Sequence, residues 1–364
     1  MTSQAASKER NMGIELIRIV ALLMIMALHV MGQGGVLSSV VPMSPNYEMA
    51  YLWEALSFPS GAIFGMVAGY VGLKSSGKLS NIVYIWLQVL FYTVIITAIF
   101  AFLVPETFGA QAIINMLCPV MTEQYWYISA YIGTMLFAPA INYVVNNMPK
   151  KQIDIMFVAA LMLFSVLPTI FPTDVFGLRG GCSILCISSF YFYGAYMKKY
   201  GLMENLSQGA LAIVFFLGVL ATWGSKFAIE TAYGFSVDFP DRGNRLFIFN
   251  APTNVLASMA IIVFFSRLNI SGIWNKVIKA IAPLALGAYL INTHPLVFKY
   301  VMQNRFSEFA SYPTWKMLLC IILAGLFLAL IEFAIDAVRR LIFDLGNLRG
   351  KLYALEKYIF RDKE

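Results

Sequence analysis

The chain has 364 residues, of which 60% are hydrophobic and only 12% charged, with a formal net charge of +7 and a mean hydropathy of +0.74. Soluble domains carry roughly a quarter charged residues, so this composition excludes a soluble globular protein and describes a polytopic membrane protein. The positive charge reads as anionic-lipid contact at one membrane face, and nothing in it calls for nucleic acid.

Windows of about 20 mostly apolar residues, the length that crosses a bilayer as a helix, fall at 14–31, 51–73, 81–104, 125–146, 152–171, 182–199, 209–227, 248–268, 281–301 and 317–338. The expectation is an all-α integral membrane protein of about ten transmembrane helices, a single unit over residues 1–364. The first window begins after Lys8 and Arg10 but is interrupted by Arg18 and followed by no clear small-x-small cleavage pattern, so it is expected to remain as a helix. The run FGAQAIINMLCP at 108–119 is apolar but too short to span, and reads as an interfacial or re-entrant helix. The segment 224–247, with Glu230, Asp238, Asp241, Arg242 and Arg245, is long enough for a lid over an outward-facing cavity. Cys118, Cys182, Cys186 and Cys320 show no paired ligand spacing, and read as packing residues. No Rossmann, P-loop or zinc motif and no internal repeat is visible.

Lys and Arg sort the connecting segments into two sets. With the N-terminus inside, the inner segments and the tail hold 18 of them and the outer segments 7, with Arg18 inside the first window. An even number of spans with both termini cytoplasmic follows from the positive-inside rule.

Arg18 and His29 are the candidate functional residues of the first window, since an ionisable side chain inside a membrane is expensive and marks a site by default. Eleven positions apart, they differ by roughly 20° around a helix and roughly 16 Å along it, so one face carries a guanidinium toward the inner end and an imidazole toward the outer end. The other histidine, His294, lies on the ninth window, about 20 Å from its inner end by the same rise, which predicts a depth similar to that of His29. Each has a purely structural alternative: a membrane-edge Arg can snorkel to the headgroups, and a membrane His often only hydrogen-bonds across helices. Tyr125, Trp126 and Tyr127 fit an interfacial aromatic belt as well as a sugar-stacking surface. Tyr289, Asn292 and Asn250 fit helix-to-helix hydrogen bonding as well as acceptor binding.

The run NMGIELIRIVALLMIMALHV, with Arg18, ten residues and His29, resembles the first helix of the acyltransferase family 3 membrane proteins. Further stretches in the same order are similar to that family: QYWYISAYIGTMLFAPAIN at 124–142, FYFYGAYMKKY at 190–200, NAPTNVLASMAIIVFF at 250–265 and LALGAYLINTHPLV at 284–297. The resemblance implies about ten membrane helices and transfer of an acyl group, commonly acetyl from acetyl-CoA, to a hydroxyl of a cell-surface glycan. It implies no bound cofactor, acyl-CoA being the donor substrate. One departure stands out: many members carry an Arg-x-x-Arg pair near the third helix, where this chain reads GLKSSGKLSNIVYIW with Lys74 and Lys78.

On this reading His29 is the general base, or a transient acyl carrier through the same nitrogen. Arg18 binds CoA phosphates or holds a carboxylate such as Glu15, Glu332 or Asp336. The expected acceptor is an envelope or exported glycan or its lipid-linked precursor, with His294, Tyr289, Asn292, Asn250, Trp126 and Glu332 on the substrate side. A glycan exporter or flippase that uses the same polar cavity without chemistry is the rival reading.

Overall fold

Backbone polar groups have no water partner in a hydrocarbon core, so long apolar runs satisfy them as helices. The computed structural model describes residues 10–74, 77–171, 173–234 and 242–360, and every regular element among them is helical. Helix α1 (Met12–Met31) starts where the Asn11 side chain accepts the Ile14 N–H, and a single turn, α2 (Val36–Ser39), follows it. The window expected at 51–73 is two helices, α3 (Pro45–Ser57) and α4 (Ser60–Gly72), divided at Pro59, which has no N–H to give to a continuous ladder. After α5 (Leu79–Leu103), the piece read as interfacial is α6 (Ala110–Leu117), with no buried residue.

Helix α7 (Trp126–Asn147) is followed by α8 (Lys150–Leu161), which passes through a π-helical turn at Met162–Val166 into α9 (Leu167–Ile170). Then come α10 (Ile184–Tyr200) and α11 (Gln208–Tyr233), each started by a serine hydroxyl, Ser183 and Ser207, that accepts a first-turn N–H. Because α11 runs on to Tyr233, the first ten positions of the expected lid are helix; Asp238 and Asp241 lie outside the described residues, and Arg242–Leu246 is a 3-10 turn. The chain continues with α12 (Pro252–Ser266), α13 (Gly272–Ile281), α14 (Ala285–Asn292), the short turn α15 (Pro295–Val297), α16 (Thr314–Leu345) and α17 (Leu348–Ile359).

Among the described residues, seven helical stretches are long and apolar enough to cross a membrane, with α3 and α4 counted together as Pro45–Gly72 and α8 to α9 as Lys150–Ile170, or eight if Gly272–Asn292 and Pro295–Met302, bent by 61°, form one broken span. The windows at 182–199 and 248–268 correspond to α10 and α12, of 17 and 15 residues. At 1.5 Å per residue α12 is about 22 Å long, short of a core of about 30 Å. The chain is therefore an all-α membrane protein.

Close helix approach is bought by small residues rather than by a water-driven effect, which lipid does not supply. A Cβ on Gly69 would lie 1.8 Å from the Tyr191 carbonyl oxygen, and one on Gly194 would lie 1.8 Å from that of Met66, so α4 and α10 pack backbone to backbone. Helix α1 sits amid α3, α4, α12, α13, α14 and α16. Its Arg18–His29 face is thereby turned to the protein interior, and the arrangement of α14 and α16 around it decides the site.

Candidate active site

The histidine is placed first. His29 is in the last turn of α1, and its Nδ1 lies 2.5 Å from Asn292 Oδ1. Asn292 is the last residue of α14; its Nδ2 donates to Glu332 Oε1 at 2.7 Å, which fixes the carboxamide with its oxygen toward the imidazole. An amide oxygen only accepts, so the proton of this contact belongs to His29 Nδ1. The neutral ring then keeps an unprotonated Nε2, able to take a proton from a bound group. Phe298 meets the ring edge to face, with centroids 5.0 Å apart, and limits its rotation. Glu332 Oε2 is buried without a hydrogen-bond partner among the described residues, so Asn292 carries the polar support that this carboxylate receives.

The second carboxylate of α16, one turn beyond Glu332, has different partners. Asp336 accepts from Arg339 Nε at 2.6 Å, from Arg339 Nη2 at 2.9 Å and from the Tyr92 hydroxyl at 2.6 Å. It stands so close to α14 that a Cβ on Gly287 would lie 1.7 Å from Asp336 Oδ1. Arg18 pairs with Glu15 one turn before it, Nη1 being 3.0 Å from both carboxylate oxygens. Of the three acids expected as Arg18 partners, Glu15 is the observed one; Glu332 and Asp336 are committed elsewhere.

Two hollows meet at Arg18. The inner chamber, about 300 Å³, is lined by His29 and mostly by apolar and aromatic groups, among them Ile25, Phe64, Trp126, Tyr127, Phe249 and Tyr289. The vestibule, about 760 Å³, is lined by seven cations, Arg10, Arg18, Lys74, Lys198, Arg339, Arg340 and Arg349, against two acids, Glu15 and Asp344. Arg18, Ile85, Ala282, Pro283 and Leu286 line both. The passage is thus a strongly basic mouth that narrows at a guanidinium and ends in an apolar chamber with an imidazole on its wall.

The chain itself is matched by a family: the acyltransferase 3 model, an acyltransferase domain, covers residues 11–332. The chain belongs to the acyltransferase 3 family. No curated protein and no solved structure matches it. The protein is accordingly a membrane acyltransferase, which needs one place for an acyl donor and one for an acceptor.

The expected site residues of this acyltransferase separate into two groups. His29, Arg18, Trp126 and Tyr289 line the chamber, and Asn292 and Glu332 stand behind His29. Trp126 stacks on Phe249, with centroids 5.8 Å apart, and lies edge to face on Tyr127, so it is part of the chamber wall. His294 and Asn250 line neither hollow. His294 is fully buried at the break before Pro295; its Nδ1 accepts the Leu296 N–H at 3.2 Å, and its Nε2 lies 3.1 Å from the Gln124 carboxamide. Nδ1 is thus engaged as an acceptor, while Nε2 faces the amide nitrogen of Gln124. Asn250 Nδ2 donates to the Phe164 carbonyl, and its own carbonyl accepts from Ser165, tying the π-helical turn to the start of α12. His29 and His294 do not converge on one cavity: Asn292, two residues before His294, meets His29, whereas His294 itself faces Gln124.

Sequence reasoning missed Phe249, Phe64 and Tyr131 as chamber residues, since an aromatic at helical spacing looks like any core residue. It also counted Lys198, Arg340 and Arg349 only as inner-face charge, whereas they converge on one hollow. Clustering of charge on three different helices has no local signal.

Proposed function

We propose that this acyltransferase draws an acyl group, acetyl foremost, from cytosolic acyl-CoA and passes it to a hydroxyl of an envelope or exported glycan or of its lipid-linked precursor. The reading rests on one observation: a passage whose basic mouth suits phosphates and whose apolar end carries a histidine held in one tautomer by Asn292 and Glu332. The phosphates of the donor are held in the vestibule, Arg18 grips the arm at the neck, and the thioester reaches the chamber. A guanidinium suits that duty, being permanently charged and able to bind oxyanions through two N–H groups.

In the transfer, the acceptor oxygen attacks the thioester carbonyl while its proton passes to His29 Nε2. The tetrahedral intermediate then expels the thiolate, which takes that proton and leaves as free CoA thiol, and the acyl ester remains on the acceptor. The imidazolium that forms midway keeps its Nδ1–H bond to Asn292, polarised in turn by Glu332. Trp126, Tyr127, Phe249 and Tyr289 exclude water from the thioester and offer ring faces to a sugar. With the basic mouth at the cytosolic face and His29 nearer the other, the membrane-embedded chamber connects the compartment where acyl-CoA is made with the one where surface glycans lie.

The test is purified protein in lipid discs given radiolabelled acetyl-CoA, with release of CoA thiol and label in a glycan fraction followed together, alongside the acetyl content of the cell's glycans with and without the protein. Thiol release that depends on His29 and coincides with glycan labelling is expected. Absence of thioester cleavage, or glycan movement across the membrane without acylation, overturns the reading.

A further inference from the structure

Helix α17 lies beyond residues 11–332, the part of the chain that the family model covers. It folds back onto the start of α5. There the Glu356 carboxylate accepts the Leu79 N–H at 2.6 Å and the Ser80 hydroxyl at 2.5 Å; α5 has no capping side chain of its own from Lys78, so α17 supplies the cap. Between the two helices is a hollow of about 350 Å³ lined by Lys78, Ser80, Asn81, Tyr84, Arg349 and Tyr353. Lys78 lies over the Tyr353 ring at 4.2 Å and Arg349 over the Tyr84 ring at 4.4 Å. Among the described residues neither cation is in an ion pair, and Glu356, the acid beside them, is engaged by α5. The hollow opens on the vestibule, since Tyr84 and Arg349 line both.

Two cations outside any ion pair among the described residues, two phenol rings, a hydroxyl and a carboxamide around one cleft are the complement of a phosphorylated nucleoside: charge for the phosphate, ring faces for the base, polar groups for its edge. We propose that this hollow seats the 3′-phosphonucleoside head of the donor, with Lys78 and Arg349 on the ribose phosphate and Tyr353 and Tyr84 against the base, so that α17 makes the enzyme select CoA thioesters over thioesters that lack the nucleotide. The inference rests on the acyl-CoA reading above and adds to it where the head group lies. The passage then holds the donor at three places, the head at α17, the diphosphate in the vestibule and the thioester by His29.

The test uses the full-length protein in discs of zwitterionic lipid, so that no lipid headgroup supplies the anionic charge, and compares acetyl-CoA with acetyl-pantetheine as donors. Wild type should prefer acetyl-CoA in kcat/KM, and Arg349→Ala and Tyr353→Ala should each erase about tenfold or more of that preference, the size of one charge-assisted contact, with Arg349→Lys restoring part of it. CoA should outcompete 3′-dephospho-CoA as an inhibitor in wild type, and do so less in Arg349→Ala. Parallel loss with both donors would reduce α17 to a structural strap, and an effect that appears only in anionic lipid would assign the hollow to a lipid headgroup; either overturns the inference while the acyl-CoA reading stands. A wild type that cleaves no acyl-CoA overturns both.

Discussion

Replacing Asn292 by leucine removes the carboxamide that holds His29 Nδ1 at 2.5 Å and binds Glu332 at 2.7 Å, at nearly constant volume. During transfer the lost contact is one to an imidazolium, and a hydrogen bond to a charged partner contributes about 1.5–3 kcal/mol, so the chemical step should slow about 10- to 100-fold at about 1.4 kcal/mol per decade. His29→Ala sets the ceiling, a general base being worth about 10² to 10⁴-fold. Glu332→Gln keeps an oxygen for Asn292 Nδ2, and should fall less than Asn292→Leu. The assay is single-turnover acyl transfer with saturating acyl-CoA, at matched amounts of folded protein, alongside acyl-CoA affinity. The signature is a rate that falls in the order Glu332→Gln, Asn292→Leu, His29→Ala, with donor affinity kept. If Asn292→Leu transfers at the wild-type rate, or loses donor affinity instead of rate, the relay reasoning is refuted.

Arg18→Lys keeps charge but not the forked geometry, and should weaken acyl-CoA binding several-fold; Arg18→Ala also leaves Glu15 unpaired in the path of an anionic donor, and should weaken it by about tenfold or more, as titration calorimetry would show, whereas normal affinity in Arg18→Ala would remove Arg18 from donor capture. His294→Ala loses the bond to the Leu296 N–H and the contact with Gln124 and should lower stability by about 1–2 kcal/mol while thioester cleavage persists per folded molecule; thermal melting and thiol release read the two separately, and unchanged melting with lost cleavage would place His294 in the chemistry. Gly287→Ala, which in an ordinary exposed helix stabilises by about 1 kcal/mol, should here destabilise by about 3 kcal/mol or more, because its Cβ displaces Asp336 from Arg339 and Tyr92; a raised melting temperature would refute the packing. Single cysteines in a background without the native four should react with an impermeant thiol reagent from outside within 36–47 and not at Lys74 or Lys151, and outside labelling at Lys151 in intact cells would reverse the topology and the cytosolic donor entry.

The sequence by itself determined the class of the molecule and the chemistry of one helix face. Apolar length and charge content dictate membrane helices, and the 3.6-residue period alone sets Arg18 and His29 on one side of α1, because both facts depend on neighbours within the same segment. The Arg18–Glu15 pair was legible for the same reason, being one turn apart. A broken helix was less so: a window average passes over Pro295, so 281–301 reads as one straight span where the helices on either side of it bend by 61°. Only the tertiary structure decided which groups work together. Asn292 stands 263 residues from His29, and Glu332 a further 40 along; nothing local distinguishes Asn292 from Asn250, or Glu332 from Asp336, until the packing of α14 and α16 against α1 turns one of each toward the imidazole. The vestibule is the same case on a larger scale: positive charge near a membrane face is a property of each segment, but its convergence on a hollow that leads to His29 is a property of how the segments are arranged in space.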